Sequence, residues 1–469
     1  AGVAAQAAAA VVAAAAAMGC CHSTAGAAAA NKPRKGAGKK RRADGEADPL
    51  APAAHDGADD ANMDSATADD DSGSRLSDGS RLMHTNSMLF SSEAMEEANR
   101  ASHPPSMAPS LNDGEVELEL RLNEDPDGYL MVANNGYELG MEIEYAPEMM
   151  ATMTLKRPDL DGEPLREIKF GYKSIQGRSA TYNRPMRSAQ KPNQDSLVCF
   201  QLEGHPNYFV FGVFDGHGPF GHFAAHFCRT QLHSTMKAIL EQMPDADPET
   251  LLHESIQFIH NAFNKADPEE TGVNPQVSGT TLVVALIKDQ DFWVANVGDS
   301  RCIMGRRSHK NDKKASVVPM SDDHKPERPS EEARIAKTEA VLLTEGELRG
   351  GQPDGKTYVC RKDSAGNIVY GVLFSRSVGD LDAHAVLGIE SAAEIEQGTI
   401  DTTVDQYLLL ASDGVWDQMT NEEVMRKVFQ ISDPLKASEQ VASIARDRWD
   451  RDRNHSRRDD ITVLCVKLS

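Results

Sequence analysis

Three aspartate-containing turns, each next to an apolar run, constrain this chain more than any other feature of its sequence. They lie in residues 209–218 (FVFGVFDGHG), 407–414 (YLLLASDG) and 458–466 (RDDITVLCV). A run of aliphatic, aromatic and β-branched residues that ends in Asp-Gly predicts a buried strand with a sharp turn at its tip. Carboxylates at several such tips can meet at one edge of a sheet. Oxygen ligands without a Cys/His cluster favour magnesium, manganese or calcium over zinc, so the pattern predicts a metal-dependent hydrolase.

Each of these turns also has a simpler interpretation. Asp-Gly is ordinary hairpin chemistry, because glycine accepts positive φ and aspartate caps turns. One such turn alone would therefore indicate only a hairpin. Three of them, with His217 directly after Asp215-Gly216, favour a metal centre instead.

Composition narrows the classes of partner and compartment. The net charge of −23 argues against nucleic acid as the main partner. The seven cysteines show no C-x-x-C spacing, and an odd number without a framework indicates a reducing, intracellular and cytoplasmic environment. No run of roughly 18 strongly apolar residues is present, so we expect no membrane-spanning helix. We expect the chain to be a monomer.

The N-terminal region carries a lipidation motif. An alanine-rich stretch precedes residues 18–23 (MGCCHS), which match the myristoylation pattern M-G-x-x-x-S, so we expect translation to start at Met18. The lipidated residues would be Gly19, carrying myristate, and Cys20 and Cys21, carrying palmitate. Palmitate or the basic cluster at residues 32–42 would supply the second signal that stable anchoring at a membrane surface needs. The alternative is a chance match within a tail.

Changes in composition divide the chain into three parts. Residues 1–112 are rich in small and polar residues with few aromatics, which predicts a disordered tail. Residues 113–163 include an apolar/charged alternation at 116–122 and a hairpin signal at 134–136, so we expect an accessory β segment. Residues 164–469 should form the compact domain.

Apolar periodicity predicts both strands and helices in the compact domain. The candidate strands are residues 196–202, 208–214, 280–287, 292–297, 407–411 and 461–468. Apolar residues spaced by three and four predict helices at 223–232 and 252–263, and Thr420-x-x-Glu423 is a capping box that opens another. Locally pairing strands with helix pairs between them indicate an α+β fold. Residues 344–370 are Gly-rich and polar, which predicts an exposed flap.

Eight short motifs follow one another in residues 165–469. In chain order they are KPNQD (191–195), FGVFDGHG (211–218), SGTT (278–281), ANVGDSR (295–301), DHKP (323–326), SRSVGD (375–380), ASDGVWD (411–417) and RDDITV (458–463). In order and in spacing they resemble the metal-dependent type-2C serine/threonine protein phosphatases.

The resemblance implies a fold and a chemistry. The family fold is α+β, a four-layer sandwich of two central antiparallel β-sheets flanked by helices, with the metal centre in a cleft at one end. The implied activity is hydrolysis of phosphoserine and phosphothreonine in protein substrates, with two Mg²⁺ or Mn²⁺ ions and a third in some relatives. Two such ions can bind a bridging hydroxide and stabilise the developing charge, so no covalent protein nucleophile is needed.

The resemblance also assigns metal ligands and an acid by position. Asp215 would bridge both metals, and the carbonyl of Gly216 would help to hold one of them. Asp413 and Asp459 would bind the other. His217 would protonate the leaving alkoxide, a role that suits a side chain with a pKa near neutrality; a structural histidine at a turn is the alternative.

Two further acids match family positions. Asp195 would hold the attacking water. Asp380 matches a position implicated in a third metal in some relatives, and a solvated turn carboxylate is the alternative there.

The chain departs from the family pattern at three positions. Gln194 stands where many members have glutamate, and Asp460 stands where the family usually has asparagine, so Asp459 is the expected ligand. Gln190 occupies the usual position of the phosphate-binding arginine. The basic residues that could replace this arginine are Arg184, Arg187 and Lys191, of which we favour Arg187.

Two other functions compete with an active phosphatase. One is a weakly active or inactive phosphatase-like module that binds phosphoproteins for regulation. The other is a two-metal nuclease, which fits the carboxylates but not the acidic chain. The presence of Asp215, Asp413 and Asp459 favours the active enzyme.

Overall fold

Runs of β-branched and aromatic residues build three antiparallel sheets in this protein. The computed structural model describes residues 82–85, 88–91, 132–133, 148–156, 167–178, 192–265, 274–307, 315–451 and 457–468. Within this part of the chain, every pairing between strands is antiparallel.

The strands of the described residues divide among the three sheets. They are β1 (Leu82–Thr85), β2 (Met88–Ser91), β3 (Val132–Ala133), β4 (Glu148–Lys156), β5 (Glu167–Ile175), β6 (Asp195–Gln201), β7 (Tyr208–His217), β8 (Gly279–Thr280), β9 (Leu282–Lys288), β10 (Asp291–Val297), β11 (Arg301–Arg306), β12 (Ser316–Pro319), β13 (Val341–Thr344), β14 (Thr357–Lys362), β15 (Ile368–Val372), β16 (Val378–Gly379), β17 (Glu394–Thr399), β18 (Asp405–Ala411) and β19 (Ile461–Lys467). The first sheet has the order β16-β8-β7-β9-β10-β17, with β6 on the other edge of β7 and β3 beside β6. The second sheet has the order β12-β11-β18-β19-β5-β4.

Helices connect these strands. They are α1 (Gly221–Gln242), α2 (Pro248–Phe263), α3 (Pro329–Ile335), α4 (Glu345–Leu348), α5 (Leu381–Leu387), α6 (Asp413–Trp416), α7 (Asn421–Val428) and α8 (Pro434–Arg451). The capping box predicted for α7 is present, because Thr420 Oγ1 accepts from the Glu423 backbone N–H and the Glu423 side chain accepts from the Thr420 N–H. In the described residues, no helix is long and apolar enough to cross a bilayer.

The first and second sheets pack face to face around the main apolar core. Alternate residues of the strands point into this core, among them Phe170 on β5 and Phe211 on β7, whose ring centroids lie 5.5 Å apart in an edge-to-face arrangement. The outer face of the first sheet packs against α1 and α2. The outer face of the second sheet packs against α7 and α8. The predicted four-layer α+β sandwich is therefore confirmed.

The predicted strands are present with small differences at their ends. The prediction for 280–287 is split into β8 and β9, because Thr281 breaks the pairing between them. Strand β7 extends past Phe214 to His217, since Gly216 and His217 pair with β8. Within 113–163, β4 pairs with β5 along its whole length and β3 pairs with β6. The alternation at 116–122 and the turn at 134–136 lie outside the described residues.

A third sheet, the flap sheet, has the order β1-β2-β15-β14-β13. The prediction that all of 344–370 is exposed is wrong for its second half, since the backbone there pairs as β14 and β15 and Tyr358 is buried. Residues 349–355 are exposed, as expected. The edge of β15 is covered by β2, whose Met88 is fully buried in one apolar cluster with Phe374.

Candidate active site

Strand register brings distant aspartates to the same end of the first and second sheets. In the first sheet, Asp195 at the start of β6 pairs with Asp215 near the end of β7. In the second sheet, Ala411 at the end of β18 pairs with Val463 of β19. Asp413 follows β18 and Asp459 precedes β19, so both lie beyond this paired end. The strand tips that the sequence predicted to be acidic therefore converge.

Asp195 links the two sheets. Its Oδ2 accepts a hydrogen bond of 2.7 Å from the Ser412 hydroxyl, and that hydroxyl oxygen accepts one of 3.0 Å from the Thr462 backbone N–H. Burial, together with the nearby Asp460 carboxylate, raises the pKa of Asp195 to about 7. A carboxyl with this pKa can exchange a proton near neutral pH.

Asp215 and Asp413 are both almost fully buried. Asp215 is 7 % exposed and Asp413 is 4 % exposed. Burial raises the pKa of Asp215 well above its usual range, and the carboxylates of Asp195, Asp413 and Asp459 raise it further. The pKa of Asp413 is raised in the same way, by burial and then by Asp417 and Asp459. Buried like charges of this kind are costly unless cations compensate them.

Asp299 and Asp417 belong to the same acidic cluster, and sequence reasoning gave neither of them a role. Asp299 contributes to the raised pKa values of both Asp215 and Asp413, and Asp417 to that of Asp413. Asp299 lies in the motif GDSR and Asp417 in the motif DGVWD. An acidic residue inside each of these motifs was the sequence signal that could have identified them. Asp299 is 1 % exposed.

Three basic side chains neutralise part of this charge. Lys325 Nζ donates to Asp299, Lys356 Nζ donates to Asp417, and Arg457 Nη2 donates to Asp459 Oδ2 at 3.1 Å. Burial alone would raise the pKa of Asp299, but Lys325 and then Lys356 together outweigh it, and the pKa is lowered. The pKa of Lys325 is raised because four carboxylates around it outweigh its burial.

The donor set fits divalent cations that prefer oxygen ligands. Within the described part of the chain, no three acidic, His or Cys side chains already surround a single point as metal ligands. The carboxylates are nevertheless buried together, and Asp299 Oδ1 lacks a hydrogen-bond partner among the described residues. A Cβ on Gly216 would lie 2.0 Å from the Gly221 carbonyl oxygen, and one on Gly414 would lie 1.9 Å from that of Asp460. Only glycine allows such close backbone packing around the acids.

Gln194 and Asp460 organise the backbone beside the cluster. Asp460 Oδ2 accepts from the Gln194 backbone N–H at 2.8 Å, and Asp460 Oδ1 accepts from the Gly177 N–H. The Gln194 side chain donates through Nε2 to the Gly218 carbonyl oxygen at 2.8 Å. The departures from the family pattern at 194 and 460 thus hold together the turns that carry Asp195, Asp215 and Asp459.

His217 contacts Asp380 rather than standing alone at its turn. The His217 Nε2 and the Asp380 Oδ2 are 2.6 Å apart, and both side chains are buried. The imidazole packs on the Phe374 ring, with 4.2 Å between the ring centroids. Asp380 has a φ of 52°, a left-handed conformation that is uncommon for residues other than glycine. A dyad of this kind sets the orientation of an imidazole.

Comparison with known proteins identifies the family. A family model described as protein phosphatase 2C matches residues 172–453. The chain belongs to the protein phosphatase 2C family. The probable protein phosphatase 2C 72 of Arabidopsis thaliana is 32% identical over 288 residues, which are 59% of this chain and 81% of that relative. Protein phosphatase 1L of Bos taurus is 30% identical over 258 residues, which are 54% of this chain and 61% of that relative.

A solved structure supports the fold of this protein phosphatase 2C. The crystal structure of the serine-threonine phosphatase 2C from Toxoplasma gondii superimposes with a TM-score of 0.50 at 19% identity. The superposition covers 68% of this chain and 99% of that structure. A likeness at this level of identity concerns the fold alone.

Family membership confirms the predicted activity. The chain is a serine/threonine protein phosphatase that depends on Mg²⁺ or Mn²⁺ at a dinuclear site, and phosphorylated proteins are its substrates. Nothing in the comparisons favours the binding-module alternative. Several predicted residues of this protein phosphatase 2C lie outside the described residues, namely Arg184, Arg187, Lys191, Gly19, Cys20 and Cys21.

Proposed function

We propose that Asp215, the Gly216 carbonyl, Asp413 and Asp459 hold the two catalytic metals of this phosphatase. The observation that carries the proposal is the burial of the three aspartates at one end of the sandwich, where the Asp459 carboxylate helps to raise the pKa of both Asp215 and Asp413. Such a cluster is stabilised when divalent cations replace the missing positive charge. When bound, Mg²⁺ or Mn²⁺ lowers the pKa of water and neutralises charge that develops on the phosphoryl oxygens.

Asp195 would act as the general base and His217 as the general acid of the reaction. Asp195, whose Oδ2 accepts a hydrogen bond from the Ser412 hydroxyl, would orient the attacking water and accept its proton. His217 would donate a proton to the leaving serine or threonine oxygen. Because Nε2 is engaged by Asp380, that proton would come from Nδ1. Asp380 then acts as a positioning residue, and its assignment to a third metal stays a prediction.

Manganese-dependent hydrolysis of a phosphothreonine peptide tests these assignments. We expect Asp215→Asn and Asp413→Asn to lower kcat/KM by at least about 10³-fold, since each removes a charge on which the metals depend. Asp245→Asn is the matched control, because Asp245 is exposed on the far connection between α1 and α2. Wild-type activity in either buried variant, or activity that survives chelation, would contradict the metal assignment.

The N-terminal motif supports a second proposal, on the location of the enzyme. Myristate on Gly19, palmitate on Cys20 and Cys21, and the basic cluster at 32–42 would anchor the phosphatase to a membrane surface. Mass spectrometry of the native protein from cells should find acylated Gly19 and no residue before it. Binding of that protein to anionic vesicles should be lost in Gly19→Ala. An unmodified N terminus that retains the alanine-rich stretch would refute the anchor.

A further inference from the structure

We propose that Lys356 and Arg457 form the subsite that binds the phosphoryl group of the substrate. The inference rests on the proposed metal assignment, because it places the phosphate beside Asp413 and Asp459. It adds a contribution from the flap sheet to a site otherwise built by the two central sheets. The ligand class is a phosphate monoester dianion.

Lys356 reaches the acidic cluster from the flap. It lies immediately before β14, after the exposed residues 349–355, and its Nζ donates to Asp417. Its side chain is 39% exposed, so solvent and an anion can reach it. Burial would lower the pKa of Lys356, yet the Asp417 and Asp413 carboxylates raise it. The ammonium group is therefore charged and lies close to an expected metal ligand.

Arg457 reaches the same place from the C-terminal segment. Its Nη2 lies 3.1 Å from Asp459 Oδ2, and its side chain is 29% exposed. A guanidinium can hold Asp459 with one N–H and still offer others to a phosphate oxygen.

The carboxylates that hold the two cations lie on chain segments that pack together, because the Asp417 N–H donates to the Asp413 carbonyl oxygen and Gly414 packs against the Asp460 carbonyl oxygen. Tyr358 on β14 is buried, which raises its pKa to about 12, and both Arg457 and Lys356 oppose that shift. The Lys356 ammonium group is a point charge, and the Arg457 guanidinium is a planar fork of N–H donors. Together they are complementary to a tetrahedral dianion. Lys325 differs from them, since it forms an ion pair with the buried Asp299 and its side chain is less exposed, at 24%.

Metal binding supplies the reason for the cations to change partner. Without metals, Lys356 and Arg457 balance Asp417 and Asp459. Divalent ions on Asp413 and Asp459 would neutralise the carboxylates in place of Lys356 and Arg457. The ions would then repel the two basic groups, and an arriving phosphate dianion would attract them. The competing interpretation is that both residues are only counter-ions for the carboxylates.

Orthophosphate and Mn²⁺ titrations separate the two interpretations. We expect Lys356→Met and Arg457→Met each to weaken orthophosphate binding to the Mg²⁺-loaded protein about tenfold, measured by calorimetry, as befits loss of a charge-assisted contact. KM for a phosphothreonine peptide should rise by a similar factor. Lys362→Met is the matched control, because Lys362 is an exposed lysine at the opposite end of β14, and both values should stay within about twofold of wild type.

The pattern of losses decides the outcome. Lys356→Arg and Arg457→Lys should recover part of the orthophosphate affinity, and they guard against variants that merely fail to fold. Unchanged orthophosphate affinity with tighter Mn²⁺ binding would overturn the proposal and establish simple counter-ions. If the wild type binds orthophosphate through these residues but hydrolyses no phosphopeptide, the subsite stands and the catalytic proposal fails. If Asp413→Asn abolishes hydrolysis while Lys356→Met and Arg457→Met bind orthophosphate normally, the catalytic proposal stands and the subsite proposal fails.

Discussion

Asp195→Asn should stabilise the metal-free phosphatase although it removes the carboxylate that we propose orients the attacking water. The Asp195 carboxyl is fully buried, and burial together with the Asp460 carboxylate raises its pKa from 3.8 to about 7. At about 1.4 kcal/mol for each tenfold change in proton affinity, holding this carboxylate ionised costs the folded state up to about 4 kcal/mol. The asparagine amide oxygen can still accept the hydrogen bond from the Ser412 hydroxyl, so most of this cost should be recovered.

The pH dependence of this gain follows from the direction of the pKa change. Below about pH 4 the carboxyl is protonated in both the folded and the unfolded chain, so no penalty exists. As the pH rises from about 4 to about 7, the unfolded chain ionises first and the wild-type protein loses stability. The penalty is about 2 kcal/mol at pH 5 and reaches about 4 kcal/mol at pH 8. Stability of the metal-free wild type should therefore fall with increasing pH over this range.

Urea unfolding in the presence of EDTA measures both quantities. The free energy of unfolding of Asp195→Asn should exceed that of wild type by about 2 kcal/mol more at pH 8 than at pH 5. Asp245→Asn serves as the control at an exposed aspartate and should stay within about 0.5 kcal/mol of wild type at both pH values. An equal gain at pH 5 and pH 8, or a loss at pH 8, would refute a burial penalty on Asp195.

Metal binding and packing yield three further outcomes. Mn²⁺ at 100 times its Kd should raise the free energy of unfolding by about 2.7 kcal/mol for each bound ion, and urea titrations of Asp413→Asn should lack part of this gain. Gly414→Ala places a Cβ 1.9 Å from the Asp460 carbonyl oxygen, so calorimetry should find Mn²⁺ affinity lowered about tenfold or more; unaltered affinity would be inconsistent with this packing. Met88→Ala removes a fully buried side chain of β2 and should lower the free energy of unfolding in urea by about 2–5 kcal/mol; a smaller loss would mean that β2 does not support the apolar cluster around Phe374.

Local signals predicted most of the central fold. The apolar run through Phe214 predicted β7, and the capping box at Thr420 and Glu423 predicted the start of α7. The flap sheet was missed because its polar and glycine-rich stretches resemble loops. Its strands are stabilised by pairing with β2, which lies far away in the sequence, and by buried residues such as Tyr358. A local sequence pattern cannot predict pairing with a strand that lies so far away in the sequence.

The acidic centre was predictable only in part, for the same physical reason. The ends of strong apolar runs are occupied by Asp215, Asp413 and Asp459, so the sequence predicts a strand end at each of them. Asp299 and Asp417 stand in similar turns, but their membership of the cluster depends on the packing of the two sheets. Whether a carboxylate at a turn meets others or faces water is decided by strand register across hundreds of residues.

No local sequence pattern distinguishes the two basic residues of the proposed phosphate subsite. Lys356 follows a polar loop and Arg457 precedes an acidic turn, and neither position has a distinctive sequence pattern. Their importance comes from the charge they face, because a cluster of buried carboxylates must be neutralised in the metal-free protein as well as in the loaded one. Lys356 and Arg457 neutralise the acidic cluster in the metal-free protein. In the metal-loaded protein the same two side chains would lie next to the bound phosphate. The flap sheet, which includes β2 with its buried Met88, thereby contributes Lys356 to the proposed recognition of the phosphate.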